Sequence, residues 1–127
     1  MPSTPPEAPA VLLKQKTLYS YWLKLYRKIS KPERFGIGER IDKLFIELLE
    51  SAQDMRFARR ENKIQHIDKI LFNLNKIRFL TEVSWENKLI STKEYSEFIS
   101  GLEKIGKELG GWKKELTKTP AEWREKH

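Results

Sequence analysis

IGERIDKLFIELLESAQDM, residues 37–55 of the 127-residue chain, carries the pattern that decides the fold. Its apolar side chains recur three or four residues apart, which is the spacing that places them on one side of an α-helix. They are Ile37, Ile41, Leu44, Phe45, Leu48, Leu49, Ala52 and Met55. The pattern is close to the seam of a coiled coil. The stretch therefore predicts an amphipathic helix, the second of the chain, that begins near Phe35 and buries one side against other helices.

Helical patterns on either side of this stretch predict three more helices. The first covers residues 12–30 and ends before Pro32, because the residue before a proline avoids the α-helical conformation. The third follows a break within residues 57–62, continues the apolar pattern and ends near Asn87.

The fourth helix begins and ends at recognisable signals. Ser91 and Glu94 have the spacing of a capping box, which marks a helix start. Gly110 and Gly111 predict the left-handed stop that commonly ends a helix. Short connections between four helices favour an antiparallel up-down four-helix bundle, so the predicted fold class is all-α.

The bundle is predicted to occupy residues 12–112, with different segments on both sides. Residues 1–11 are rich in proline and predict a disordered arm. Residues 113–127 form a charged tail in which a threonine–proline pair predicts a short helix carrying Trp123. No apolar run approaches the roughly 20 residues that span a bilayer, and the absence of cysteine fits a reducing compartment. A cytoplasmic protein that does not contact membranes is expected.

Residues that carry enzyme chemistry do not form a recognisable set. The two histidines, His66 and His127, have no second metal ligand at helical spacing. Gly36 and Gly38 form a lone Gly-x-Gly without the preceding strand that a dinucleotide site needs. No Ser/His/Asp or Cys/His arrangement can be assembled. We therefore expect a non-enzymatic protein without a metal ion or another cofactor.

Basic residues are concentrated in two clusters. The chain has 25 Lys+Arg and 18 Asp+Glu, hence a net charge of +7, and residues 14–34 hold seven basic residues but only one acid, Glu33. The first cluster consists of Lys24, Arg27, Lys28, Lys31 and Arg34, and the second of Arg56, Arg59, Arg60 and Lys63. Both are predicted to bind nucleic acid or a protein partner through charge. The alternatives are cations that favour the helix dipole in the first cluster and a solvated loop in the second.

Aromatic side chains widen the apolar sides of the first and third helices. They are Tyr19, Trp22 and Tyr26 on the first helix, and Phe72 and Phe79 on the third. A helix that is apolar on more than one side indicates burial by a second subunit, so these residues are predicted to form an oligomer interface. The alternatives are the chain's own core and, on the first helix, stacking on bases. Arg78, beside the apolar stripe of the third helix, is predicted either to pair with Glu82 or to line a shared surface of an oligomer.

Four stretches resemble one protein family. They are KISKPERFGIGERI at residues 28–41, IRFL at 77–80, LISTKEY at 89–95 and IGKELGGW at 105–112. In this order they are similar to the accessory variability determinant proteins of diversity-generating retroelements. The resemblance implies a four-helix bundle that assembles as a barrel-shaped homopentamer with a basic surface. It also implies binding to the retroelement's reverse transcriptase and to template RNA, with DNA as a further ligand, in support of mutagenic cDNA synthesis and retrohoming without catalysis.

The resemblance extends to three basic positions and has two departures. It implies contact with the polymerase or nucleic acid for Arg34, Arg40 and Arg78. A related family, encoded by intervening sequences in 23S rRNA genes, has an Asn-Ile-Ala-Glu-Gly-like stretch where residues 55–59 here read MRFAR. Residues 36–38 read GIG, where a Thr-Leu-Gly-like run is expected in the retroelement family. The alternative functions are a ribosomal-RNA-associated four-helix bundle and a helical scaffold that contacts only protein.

Overall fold

The computed structural model describes the backbone of residues 7–118 and the side chains of residues 12–118, and this part of the chain contains helices but no strand. Its four long helices are α1 (Glu7–Lys28), α3 (Glu39–Phe57), α4 (Arg60–Glu86) and α5 (Thr92–Leu116). Between α1 and α3 lie a single turn, α2 (Lys31–Glu33), and a π-helical turn (Arg34–Gly38).

Neighbouring long helices run antiparallel. Ion pairs join Lys14 to Glu108 and Lys28 to Glu94, so the chain direction of α5 is opposite to that of α1. Residues 58–59 alone connect α3 to α4, and these two helices pack along each other. The predicted up-down four-helix bundle is therefore confirmed. Assembly of the bundle into a pentamer stays a prediction.

The second helical run begins earlier than predicted. Its first turn starts at Lys31 rather than near Phe35, and Pro32 occupies this turn, where a helix does not need the N–H that proline lacks. The N–H of Glu39 then bonds to the carbonyl of Arg34, five residues back, which is the hydrogen bond of a π turn. The predicted break within residues 57–62 is confirmed by the short connection before α4.

The structure confirms the predicted start of the fourth long helix, α5, but not its predicted end. The Glu94 N–H donates to Ser91 Oγ at 3.1 Å, and the Ser91 N–H donates to Glu94 Oε1 at 2.9 Å, so the capping box is present. The helix continues through residues 110–111, and neither glycine there has a positive φ. The predicted stop is wrong because Trp112 and Leu116, beyond the glycines, pack against the core and extend the helix.

The bundle is longer at both ends than predicted. α1 begins at Glu7, inside the predicted arm of residues 1–11, and ends at Lys28, and residues 1–6 lie outside the described residues. α5 includes the first four residues of the predicted tail, and the short helix predicted around Trp123 lies outside the described residues. Within the described range, none of the helices combines the length and the apolar composition that crossing a membrane requires.

Three aromatic rings lie at the centre of the core. Trp22, Phe45 and Phe98 are fully buried, and the Phe98 ring centroid lies 5.8 Å from Trp22 and 6.1 Å from Phe45. Trp22 is 1% exposed, and its Nε1 donates to Asp42 Oδ1 at 3.2 Å. Its predicted place in an oligomer interface is therefore wrong, because α3 and α5 of the same chain bury the ring.

Tyr19 and Tyr26 also pack against their own chain. The Tyr19 hydroxyl donates to Asp42 Oδ1 at 2.8 Å, and burial, followed by this hydrogen bond, raises the pKa of Tyr19 to about 12. The Tyr26 ring stacks on Trp22 at 5.6 Å between centroids, and its hydroxyl donates to the Arg34 carbonyl at 3.4 Å. Both side chains are half-buried between α1 and the second helical run. They therefore stabilise the bundle itself, while their assignment to an oligomer interface stays a prediction.

Candidate nucleic-acid interface

The outward side of α1 carries cations and, within residues 12–28, no carboxylate. Residues 12–28 include five basic residues and no acid. Exposed positions on this side recur three or four residues apart, at Lys16, Ser20, Lys24 and Arg27. Lys31, also exposed, continues the series just beyond α1. We call Lys16, Lys24, Arg27 and Lys31 the α1 basic stripe. The sequence prediction missed Lys16, although its spacing of two helical turns from Lys24 is the signal that reveals it.

The neighbouring helix α3 has the opposite charge. It holds five acidic and three basic residues. Glu47, Glu50 and Asp54 are exposed at helical spacing along its outward side. Because carboxylates repel phosphate and cations attract it, the α1 side is the more favourable of the two surfaces for a polyanion.

Arg34, a predicted member of the first cluster, binds the end of α1. Its Nε donates to the Ile29 carbonyl at 3.1 Å, and its Nη2 donates to the carbonyls of Ile29 and Arg27 at 2.9 and 3.0 Å. The last carbonyls of a helix have no partner within the helix, so this guanidinium caps α1. Arg34 is half-buried in this position. The Arg34 guanidinium is therefore largely engaged by carbonyls of its own chain. A count of basic residues does not reveal this engagement.

Lys28 is also partnered within the chain. Its Nζ lies 3.1 Å from Glu94 Oε2 at the start of α5. The Ser91 N–H, with Lys28 as a further contributor, holds the pKa of Glu94 below its usual range. An open groove of about 450 Å³ lies beside this pair and is lined by Lys24 and Lys93 among others. The sequence prediction missed Lys93, whose place beside the Ser91 capping box is the signal that puts it next to the end of α1.

The second cluster lies where α3 gives way to α4. Arg56 Nη1 donates to Gln53 Oε1 at 3.2 Å, and Arg60 Nη2 contacts the Leu116 carbonyl at 3.5 Å. Arg59 is exposed at the residue preceding α4, and Lys63 is half-buried one turn into that helix.

The two predicted clusters lie at opposite ends of the bundle. We call the end with α2 and the π turn the junction end, and the end with residues 58–59 the hairpin end. The 19 residues of α3 connect them, and at 1.5 Å per residue this helix is about 28 Å long. A ligand that contacts both clusters of one chain therefore has to extend along the bundle.

Arg40 belongs to a third place on the surface, between α3 and α4. It lines an open groove of about 560 Å³ with Phe72, Phe79 and other residues. Phe72 and Phe79 are 60% and 63% exposed, and Lys76 Nζ lies 4.3 Å from the centroid of the Phe72 ring. The assignment of both phenylalanines to an oligomer interface stays a prediction.

Arg78 is exposed on the side of α4 that faces α5. Its Nη2 lies 2.9 Å from Glu103 Oε1. Its ion-pair partner therefore comes from the next helix rather than from Glu82, the residue that the spacing of four predicts. The structure places Arg78 with neither basic cluster.

Metal-binding chemistry has no candidate in residues 7–118, since no group of three or more His, Cys, Asp or Glu residues is suitably arranged there.

Comparison with known proteins gives a match to a protein family. A family model described as bAvd-like matches residues 11–116, a range that includes α2 to α5 completely and most of α1. Neither a curated protein nor a solved structure matches the chain.

Proposed function

The chain belongs to the bAvd-like family, and we propose that it is a non-enzymatic accessory factor of a diversity-generating retroelement. In this role it binds the element's reverse transcriptase and the template RNA, with DNA as a further ligand, and supports mutagenic cDNA synthesis and retrohoming in the cytoplasm. The family match covers most of the chain and supports this role over a ribosomal-RNA-associated bundle or a scaffold that contacts only protein.

The observation that carries the nucleic-acid part of the proposal is the α1 basic stripe. Three of its four cations stand on α1, whose residues 12–28 contain no acid, so no carboxylate of that segment neutralises them. Lysine and arginine that replace counterions on phosphates give an affinity that falls steeply with salt and depends little on base sequence. The proposed contacts with nucleic acid or polymerase also include the second cluster, together with two further residues, Arg40 and Arg78.

The proposal includes self-association into a homopentamer. Phe72 and Phe79 support it, because the groove that they line also contains the apolar side chains of Leu44 and Leu80. Two large aromatic side chains that are both more than half exposed beside an apolar groove are typical of a protein-binding surface.

The nucleic-acid part is tested by charge reversal on the α1 basic stripe. We expect Lys24→Glu/Arg27→Glu to weaken RNA binding and to lower the slope of log affinity against log salt by roughly 1.4–1.8, the value for two lost phosphate contacts. Fluorescence anisotropy of a labelled RNA over a series of salt concentrations measures both quantities. The matched control, Lys69→Glu/Lys107→Glu, makes the same charge change at exposed lysines of α4 and α5. Equal losses in both variants, or an affinity insensitive to salt, would contradict the proposal.

The partner and assembly parts need separate measurements. We expect the purified protein to have a mass near five chains by light scattering on a sizing column, and Phe72→Ser/Phe79→Ser to lower that mass.

For the partner part, we expect the reverse transcriptase to co-purify with the wild type, and mutagenic retrohoming to stop when the gene for this protein is deleted. A monomer would remove the assembly part, and normal retrohoming without the protein would remove the accessory role.

A further inference from the structure

We propose that Phe35 is a base-stacking residue and that the nucleic acid held by the α1 basic stripe is single-stranded. This inference rests on the proposed function, because it requires that the stripe binds nucleic acid. It adds the class of nucleic acid and a contact that charge alone does not supply.

Phe35 lies in the π turn and is 69% exposed. Lys31 precedes it by one helical turn, so the backbone brings this exposed cation towards the side of Phe35. Lys31 is also the last member of the α1 basic stripe, and the ring therefore stands where the stripe ends.

The Phe35 side chain is open to solvent, since the residue is 69% exposed. Within residues 12–118, no aromatic ring or cation is recorded over Phe35, whereas Lys76 lies over Phe72 and the Arg56 guanidinium lies 5.4 Å from the centroid of Phe57. A flat ligand can thus approach Phe35 without displacing another group from its face.

The residues on both sides of Phe35 are fixed. Arg34 is held by the carbonyls at the end of α1. Gly38 packs so closely under Tyr26 that a Cβ there would lie 3.1 Å from Tyr26 Cε1. With its backbone held at two points, this segment loses little backbone freedom when a ligand stacks on Phe35, which favours binding.

Stacking selects single strands. A base inside a duplex already has a neighbour on each face, whereas an unpaired base offers a free face to an aromatic side chain. Phosphates are present in both forms, so the α1 basic stripe attracts both, and Phe35 adds affinity only for the unpaired form. We therefore expect the protein to prefer template RNA that is not base-paired.

The test compares Phe35 with an exposed apolar side chain that lies in neither basic cluster. The variants are Phe35→Ala and, as the control, Ile46→Ala, whose side chain is 40% exposed on α3. Each is titrated against a short labelled RNA and against the same RNA annealed to its complement, in one buffer. We expect Phe35→Ala to weaken single-strand binding about tenfold, the scale of one base stacked on one ring, and to leave duplex binding unchanged. Ile46→Ala should change neither affinity, and Phe35→Trp should retain the single-strand preference.

The outcomes separate this inference from the proposed function. If the wild type binds neither RNA form, the proposed function fails and the inference falls with it. If the wild type binds with the expected salt dependence but Phe35→Ala binds both forms as the wild type does, only the inference is overturned. An equal loss for both forms also overturns it. Loss of reverse transcriptase binding with unchanged RNA binding overturns it by making Phe35 a protein contact.

Discussion

At the junction end, cations lie near the end of α1, where a helix attracts positive charge, and Arg34 is held by three hydrogen bonds to carbonyls there. At the hairpin end, Arg59 immediately precedes α4 and Arg60 begins it, where the helix dipole disfavours positive charge. Both ends are basic, yet helix stability explains only Arg34 and the cations in the last turn of α1, Arg27 and Lys28. It explains neither Lys16 and Lys24 farther back in α1 nor Arg59 and Arg60 at the start of α4. A basic residue that stabilises a helix says little about a ligand, whereas one that is placed against the dipole needs another explanation.

The same comparison separates structural from available cations within the junction end. Arg34 and Lys28 are engaged by the chain itself. Lys24, Arg27 and Lys31 are exposed on the outward side. Binding measurements therefore need to address the second group, because variants of the first also remove contacts within the chain.

The largest expected change in stability follows the loss of Arg34, and the comparison is with Arg60 at the other end of the bundle. We expect Arg34→Ala to lower the free energy of unfolding by about 2 kcal/mol, since three charge-assisted hydrogen bonds disappear and the end of α1 loses its cap. Arg60→Ala should cost less than about 0.5 kcal/mol, because its single contact with the Leu116 carbonyl is long. Urea unfolding followed by circular dichroism gives both values. Equal losses would break the distinction between the two ends.

A smaller effect is expected at the helix starts. Ser91 caps α5 with its side chain, whereas Arg59 precedes α4 without a side-chain cap. We expect Ser91→Ala to cost about 1 kcal/mol, because it removes the hydrogen bond to the Glu94 N–H. We expect Arg59→Asp to raise the free energy of unfolding by about 1 kcal/mol, because aspartate both caps the helix and interacts favourably with its dipole. Thermal unfolding of the two variants should move in opposite directions. A loss of stability in Arg59→Asp would show that Arg59 makes a stabilising contact of its own.

The helices were largely predictable because their signals are local. The apolar spacing in residues 37–55 and the Ser91 capping box each lie within one segment, and the structure confirms both. The stop at residues 110–111 was wrong because tertiary packing of Trp112 and Leu116 outweighs the low helix propensity of two glycines.

The candidate site was less predictable, because its geometry depends on contacts between segments. The sequence shows that Arg34 is basic but not that carbonyls of α1 bind its guanidinium. It shows that Trp22 extends an apolar stripe but not whether this chain or another one buries it. The π turn was not predicted, because its i, i+5 bonding has no recurrent sequence spacing.

The smallest expected effect distinguishes the two glycines of the π turn. At Gly36 a Cβ would meet open space. Gly36→Ala should therefore raise the free energy of unfolding by at most about 1 kcal/mol, because alanine restricts the unfolded chain and favours the helix. At Gly38 a Cβ would lie 3.1 Å from Tyr26 Cε1 and 3.3 Å from the Glu33 carbonyl oxygen. The Tyr26 ring is stacked on Trp22 and cannot move away freely, so crowding should outweigh the helix preference and Gly38→Ala should lose up to about 1 kcal/mol. Urea unfolding of both variants checks the pair. If Gly38→Ala were as stable as Gly36→Ala, the π turn would be loosely packed, and the junction end would lack the rigidity that distinguishes it from the hairpin end.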